Sequence, residues 1–225
     1  MWVKNNIMLH TDFILFSMGG VGVSLLELFS VIVGLLCVFF AGRAKKINFW
    51  FGYIYCVLLF VLFMQKHLYS SMMLQPISLL INIVGHYRWT HPKKGEENKN
   101  KELKITTMSG RIRWFCFALI VLLSFIWGWM LREVGHIWPD AFPPATRPFL
   151  DAFVTMVILT AQYLSAQKKI ECWGAWTVVN VTNVILYISA GLIFMPIVSA
   201  SYLVLAFFGF SSWKKQIKSQ ENVNN

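Results

Sequence analysis

The chain has 225 residues, of which 57% are hydrophobic and 13% charged, and its 20 Lys and Arg outnumber 10 Asp and Glu to give a formal net charge of +10. A water-soluble domain of this length cannot bury so much apolar surface, and several windows reach the ~20 residues that an α-helical bilayer span requires. A soluble fold is excluded, and the composition predicts an all-α polytopic membrane protein.

Residues 1–20 carry one early cation, Lys4, and a short apolar run broken by His10 and Asp12. No small-residue cleavage site follows, so an extracytoplasmic or interfacial N-terminal segment is expected in place of a removable signal. Seven apolar stretches then run over 21–41, 49–64, 68–87, 114–131, 148–166, 172–189 and 192–211. The fifth opens at Pro148, which the first helical turn tolerates. Between the third and fourth lies HPKKGEENKNKELK (91–104), the one long hydrophilic run, read as a solvated, flexible loop. Cys37, Cys56, Cys116 and Cys172 sit in or beside apolar segments without metal-ligand spacing, so neither disulfide nor metal is inferred. His10, His67, His91 and His136 are scattered, and no HExxH, paired nucleophile and base, or phosphate-binding glycine loop is present. An enzyme is not expected, and no cofactor is implied.

Seven spans place the loops after spans one, three and five on the same side as the C-terminus. Of the 20 basic residues only Lys4, Lys66, Arg132 and Arg147 fall on the other side. Basic residues collect on the cytoplasmic side, so the C-terminus is expected inside and the N-terminus outside. The excess charge is thereby a topology device, and nucleic acid is not an expected partner.

The chain also matches itself near a shift of 124: Glu27 with Asp151, Gly85 with Gly209, Trp89 with Trp213. AKKINFW (44–50) aligns with QKKIECW (167–173) at 123, implying a one-residue gap. The expected organisation is an N-terminal segment 1–20, a three-helix repeat 21–89 and a cytoplasmic loop 90–113. A linker helix 114–134, an extracytoplasmic loop 135–147, a second repeat 148–213 and a tail 214–225 complete it. Parallel repeats of this kind belong to transporters whose site lies near the midplane between the halves.

In WGAWTVVNVTNVILY (173–187), helical spacing puts Trp173, Trp176, Asn180, Asn183 and Tyr187 on one face of an uncharged apolar segment. Amides in lipid are costly and face the protein interior, so this stripe suits a neutral or cationic ligand with a flat ring and hydroxyls. The plainer alternative is interfacial aromatics with Asn residues holding helices together. Gln75, Ser78 and Asn82 form a second polar line in span three, and Asp151, Thr155 and Gln162 a third in span five. At the repeat shift Tyr53 stands opposite Trp176 and Val57 opposite Asn180, so a lopsided lining predicts an asymmetric ligand. Glu27 and Asp151 open their spans, where an acid complements the helix dipole.

WxxWxxxN at Trp173, Trp176 and Asn180, the Asp151–Gln162 helix with Lys168 and Lys169, the GxYxW ending at Gly85, Tyr87 and Trp89, and the closing Gly209–Trp213 together resemble the PnuC family of bacterial nicotinamide riboside transporters. The resemblance covers nearly all of 27–213; His86 departs from it, standing where the family usually has Trp. It implies a SWEET-like three-one-three fold, a homotrimer in the bacterial inner membrane and facilitated diffusion. A cytoplasmic nicotinamide riboside kinase would trap the substrate. The candidate substrate contacts, read from the polar faces and the repeat, are Trp173, Trp176, Asn180, Asn183, Tyr187, Gln75, Asn82, Gln162 and Tyr53. Gating or structural roles fall to Glu27, Asp151, Gly85, Tyr87, Trp89 and Trp213. Relatives carrying thiamine or riboflavin keep those two vitamins open as substrates, and a structural or sensor membrane subunit is the remaining alternative.

Overall fold

The computed structural model of the chain describes residues 14–18, 21–65, 69–98, 101–137, 147–189 and 191–222. Expectations for Lys4, His10, Asp12, Lys66 and most of the 135–147 loop therefore lie outside the described residues. A hairpin, β1 (Ile14–Met18) and β2 (Val21–Ser24), precedes α1 (Leu25–Gly42), α2 (Asn48–Gln65), α3 (Tyr69–Thr90), α4 (Gly110–Ile137), α5 (Pro148–Ala166), α6 (Cys172–Ser189) and α7 (Phe194–Glu221). The hairpin corrects the sequence reading at one point: residues 21–24 are strand, not the start of a span. Ser24 ends the strand because its hydroxyl caps α1, accepting from the Glu27 N–H, while the Glu27 carboxylate accepts from the Ser24 N–H at 2.8 Å. This reciprocal capping box satisfies two amide donors left open at the helix start. Phe16 of the hairpin meets Phe194 edge-on at the start of α7.

Five helices (α1, α2, α4, α5 and α7) are long and apolar enough to cross a bilayer. The other two fall short by composition, not by length. At 1.5 Å per residue the 22 residues of α3 and the 18 of α6 reach roughly 27–33 Å, close to a bilayer core. Their hydropathy is lowered by Gln75, Ser78, Asn82 and Arg88 in one, and by Asn180, Thr182 and Asn183 in the other.

Six helices close a ring through neighbouring contacts, α1 to α2, α2 to α3, α3 to α5, α5 to α6, α6 to α7 and α7 back to α1. α4 stands outside, with α5 as its main neighbour and apolar side chains such as Trp114, Phe115 and Phe125 exposed along it.

One set of contacts occurs twice in this ring, 124 residues apart. The Trp89 indole on α3 donates to the Ser165 carbonyl at the end of α5 (3.2 Å), and the Trp213 indole on α7 donates to the Ala41 carbonyl at the end of α1 (3.0 Å). Both indoles are 0% exposed. Beyond these helix ends Arg43 and Gln167 are the C-caps, and Ala44 and Lys168 adopt the left-handed conformation with φ of 54° and 49°. The turns thus correspond at 124, not at the 123 that matching KKI with KKI suggests, and no gap is needed. Phe49, not Trp50, is the counterpart of Trp173: each aromatic packs against a third-helix Trp, Phe49 on Trp89 and Trp173 on Trp213.

Close approach here depends on glycine. A Cβ on Gly209 would lie 2.4 Å from the Trp173 ring, and one on Gly85 would lie 2.9 Å from both Phe49 and Ala166.

The 91–104 run is not the free linker that its charge suggested. Glu96–Asn98 and Lys101–Lys104 pair through backbone hydrogen bonds, and Thr106 exchanges backbone bonds with Lys168 and Ile170. Leu103 and Ile105 are buried in the same core cluster as Trp89, Trp173 and Trp213. Arg113 pairs with Glu171 at 2.7 Å, and that carboxylate also accepts from the Met108 N–H at 2.8 Å.

Gly209→Ala is expected to destabilise the purified protein by about 1–3 kcal/mol through overpacking against the indole. Gly174→Ala, where a Cβ meets open space, is expected to be neutral or slightly stabilising through helix propensity. Thermal unfolding in detergent reads both, and equal effects at the two sites would refute this packing account.

Candidate functional site

Along α6 the stripe residues Trp173, Trp176, Asn180, Asn183 and Tyr187 are all buried or half-buried, while Gly174, Val178, Val181, Ile185 and Ile188 are exposed. The polar stripe therefore faces into the ring and the β-branched face looks out. Within it the roles divide. Trp173, 2% exposed, is sealed edge-on against Trp213 (5.5 Å between ring centres) and against the Gly209 backbone, so it belongs to the core. Trp176 only borders that cluster. Asn180 is buried, and its amide N–H donates to the Trp176 carbonyl one turn back (2.8 Å), leaving its oxygen without a partner in that bond.

Across the ring, the 124-residue correspondence sets Gly52 against Trp176 and Cys56 against Asn180. This replaces the expected pairs Tyr53–Trp176 and Val57–Asn180; Val57 is exposed on the outer face of α2. A further exchange goes with it. Asn82 on α3 fills the space over Gly52, where a Cβ would lie 3.0 Å from its oxygen, and its amide lies 3.6 Å from the Cys56 sulfur. At the corresponding places α7 has buried Ala206 and α6 has Trp176. One half holds a small residue on its second helix and an amide on its third; the other holds a large aromatic and a methyl. The lining is asymmetric for this reason.

Gln75 and Ser78 are buried on α3, Gln75 donating to the Ser71 carbonyl (3.2 Å), and Ser199 is buried on α7. On α5, the buried amide oxygen of Gln162 has no hydrogen-bond partner among the described residues, and neither has the Trp173 indole nitrogen. Buried polar atoms are nearly always paired, so Gln162 offers an acceptor from the interior. A tyrosine pair lies deeper. The Tyr202 hydroxyl on α7 donates to that of Tyr55 on α2 at 3.5 Å, and both close over Gly34 of α1, where a Cβ would collide with the Tyr202 oxygen. The pair was not legible as a pair; its signal is the lone glycine inside the apolar run of α1.

Other expected residues lie elsewhere. The Tyr53 hydroxyl meets His86 Nδ1 at 2.8 Å, and the His86 ring stacks on Phe49 (5.1 Å, 11°). The histidine thus fills a flat aromatic place among Phe49, Trp50 and Tyr53. Tyr87 is 64% exposed and stacks on His91, away from the ring interior. Asp151, in the first turn of α5, is exposed and does not share a lining with Gln162 as the helical spacing suggested. Glu27, its counterpart, is buried and occupied in the capping box. Gly85, Trp89 and Trp213 belong to the packed end of the ring.

A family model described as nicotinamide mononucleotide transporter matches residues 24–215. The chain is similar to the nicotinamide riboside transporter PnuC of Escherichia coli (strain K12), 27% identical over 235 residues that cover 95% of this chain and 92% of that protein. It is also similar to the nicotinamide riboside transporter PnuC of Neisseria mucosa, 29% identical over 197 residues covering 84% and 72%. Among solved structures, the crystal structure of the vitamin B3 transporter PnuC superposes with a TM-score of 0.63 at 25% identity, covering 87% of this chain and 83% of that one.

Proposed function

The chain belongs to the nicotinamide mononucleotide transporter family, and from that premise we propose that it is a multi-pass transporter carrying nicotinamide riboside across the bacterial inner membrane. The observation that carries the reading is full-length similarity: the match to the Escherichia coli transporter leaves little of either chain uncovered. Transport, not catalysis, is the activity of the family.

Seven spans arranged as two parallel three-helix repeats about α4 are the architecture we infer. What supports it is the reciprocal pair of indole–carbonyl bonds and the matching turns at a constant offset of 124. The repeats then run over 25–89 and 148–213 about the linker helix 114–134. The distribution of basic residues supports an N-terminus outside and 90–113 and 214–225 in the cytoplasm. A homotrimer and trapping by a cytoplasmic kinase complete the proposal, by analogy with the family.

The substrate site we propose is the ring interior bordered by Trp176, Asn180, Asn183 and Tyr187 on α6, Gln75 and Asn82 on α3, and Gln162 on α5. Nicotinamide riboside has a flat cationic ring, a carboxamide and ribose hydroxyls. The face of Trp176 attracts such a ring, by about 2 kcal/mol once desolvated. Asn180 and Gln162 present amide oxygens, and Asn82 an amide that its sulfur contact satisfies only weakly. Trp173 holds Trp176 and α7 in place from the core side. No ion-coupling site is suggested by the acids: Glu27 is occupied in a helix cap and Asp151 is exposed. Facilitated diffusion is the mode that fits these positions.

Two measurements test this. Trp176→Ala and Asn180→Ala are each expected to weaken nicotinamide riboside binding by about 1–3 kcal/mol, roughly 5- to 150-fold, in calorimetric titrations of folded protein. Unchanged affinity in both variants would move the site elsewhere. In liposomes, labelled nicotinamide riboside should equilibrate without concentrating unless a kinase is enclosed, whether or not Na⁺, proton or voltage gradients are imposed. Concentrative uptake under one gradient alone would refute facilitated diffusion.

A further inference from the structure

Away from the ring interior, at the end where α1 and α5 terminate, lies a cavity of about 360 Å³ between the α1–α2 turn, Asn98, Glu102, Leu103 and Ile105, Lys168 and the last turns of α7. Four cations line it, Arg43, Lys45, Lys46 and Lys168, against the single carboxylate of Glu102. Glu102 is already engaged, 3.1 Å from the Lys46 ammonium. Lys168 is the unusual member. It is 2% exposed, and its ammonium sits 4.3 Å from the centre of the Trp89 ring with no hydrogen-bond acceptor or ion pair among the described residues. Burial pushes its pKa down to about 8, with Glu102 opposing that shift and Lys46 adding to it.

The Lys168 ammonium opens only to a cavity shared with three further cations, an arrangement that is costly unless an anion joins them. The Trp89 face holds Lys168 in place, and the left-handed backbone there, bonded through the Lys168 carbonyl to the Thr106 N–H (3.1 Å), fixes its direction. Asn98, Gln216 and Gln220 add amide groups around the rim. The volume corresponds to about ten waters, enough for a phosphate or diphosphate group with part of its hydration. Arg43 brings the planar fork that such oxygens accept in pairs.

We propose that this cavity is a binding site for a phosphate-bearing anion, distinct from the substrate site. A bound anion would tie the α1–α2 turn of one half to Lys168 of the other and to the end of α7. Both a soluble phosphate compound and the headgroup of an anionic lipid have this chemistry. The site does not depend on the transported substrate being nicotinamide riboside, so its test stands apart from the transport measurements.

The experiment follows thermal unfolding of the full-length protein by intrinsic fluorescence. One arm titrates inorganic phosphate or pyrophosphate in neutral detergent against sodium chloride of matched ionic strength. The other compares nanodiscs of phosphatidylcholine with and without phosphatidylglycerol. A saturable rise in unfolding temperature is expected in at least one arm; its presence with soluble phosphate or only with phosphatidylglycerol identifies the source. The Arg43→Gln/Lys45→Gln double variant changes two exposed side chains and should raise the half-saturating concentration about tenfold. Lys168→Met should do the same from the buried side. No rise in either arm, a rise that chloride reproduces, or one that both variants leave intact would overturn the proposal.

Discussion

The molecule depends most on a pair of hydrogen bonds that each join one half of the ring to the other. A buried indole N–H left without an acceptor costs about 1–3 kcal/mol, and carbonyls at helix C-termini, with two lone pairs, can take it in addition to a turn amide. At the ends of α1 and α5 a further acceptor site is taken by an indole from the third helix of the opposite half, Trp213 and Trp89 respectively. An indole is a large donor and reaches a carbonyl only if the helix carrying it comes close. Gly85 and Gly209 supply that approach, one turn before each Trp, by leaving no Cβ between the helix and its aromatic neighbour. Glycine, aromatic and indole thus form one device, used twice, and the ring closes because both copies are satisfied together.

Around this shared frame the two halves differ. Lipid gives helices no hydrophobic reason to associate, so close packing and polar contacts must hold them. In the first half Asn82 fills the room above Gly52 and touches Cys56. In the second, Trp176 and Ala206 take the corresponding places and Asn180 takes that of Cys56. Exchanging volume between neighbouring helices keeps the packing while moving an amide and an aromatic surface to new positions. The polar side chains of the two halves therefore differ without disturbing the frame. The exchange also explains why α3 and α6, among the described helices, lack a span-length apolar window: they carry these amides.

At the end of the ring where α1 and α5 terminate, charge is organised and not merely solvated. The described residues between α3 and α4 insert Leu103 and Ile105 beneath the helix ends and are anchored by the Arg88–Glu96 and Lys46–Glu102 ion pairs and by the Met108 N–H donating to Glu171. Exposed ion pairs contribute little singly, typically below about 1 kcal/mol. The buried aliphatic residues and the backbone bonds to Lys168 and Ile170 do more to fix the segment. A loop rich in lysine is held by its few apolar residues, and this hold leaves a cationic cavity beside a buried lysine.

Much of this was written in the sequence. Apolar run lengths located all seven helices, because a backbone in lipid has no other way to satisfy its amides. Period 3.6 placed the Trp173–Tyr187 stripe on an inward face, because polar groups avoid the lipid-facing side. The paired Gly and Trp residues, 124 apart, marked the contacts that join the halves. What the sequence could not determine was register and partnership. Matching KKI to KKI slips the turns by one residue, since letters record side chains whereas the left-handed residues Ala44 and Lys168 are set by the backbone. Helical spacing ranks faces but not depth, so Trp173 looked like a binding surface when Gly209 and Trp213 seal it in the core. Charge made 91–104 read as a linker, although the spacing of Leu103 and Ile105 was there to be weighed against it. Those choices belong to tertiary structure, because each depends on what a distant helix places opposite the residue.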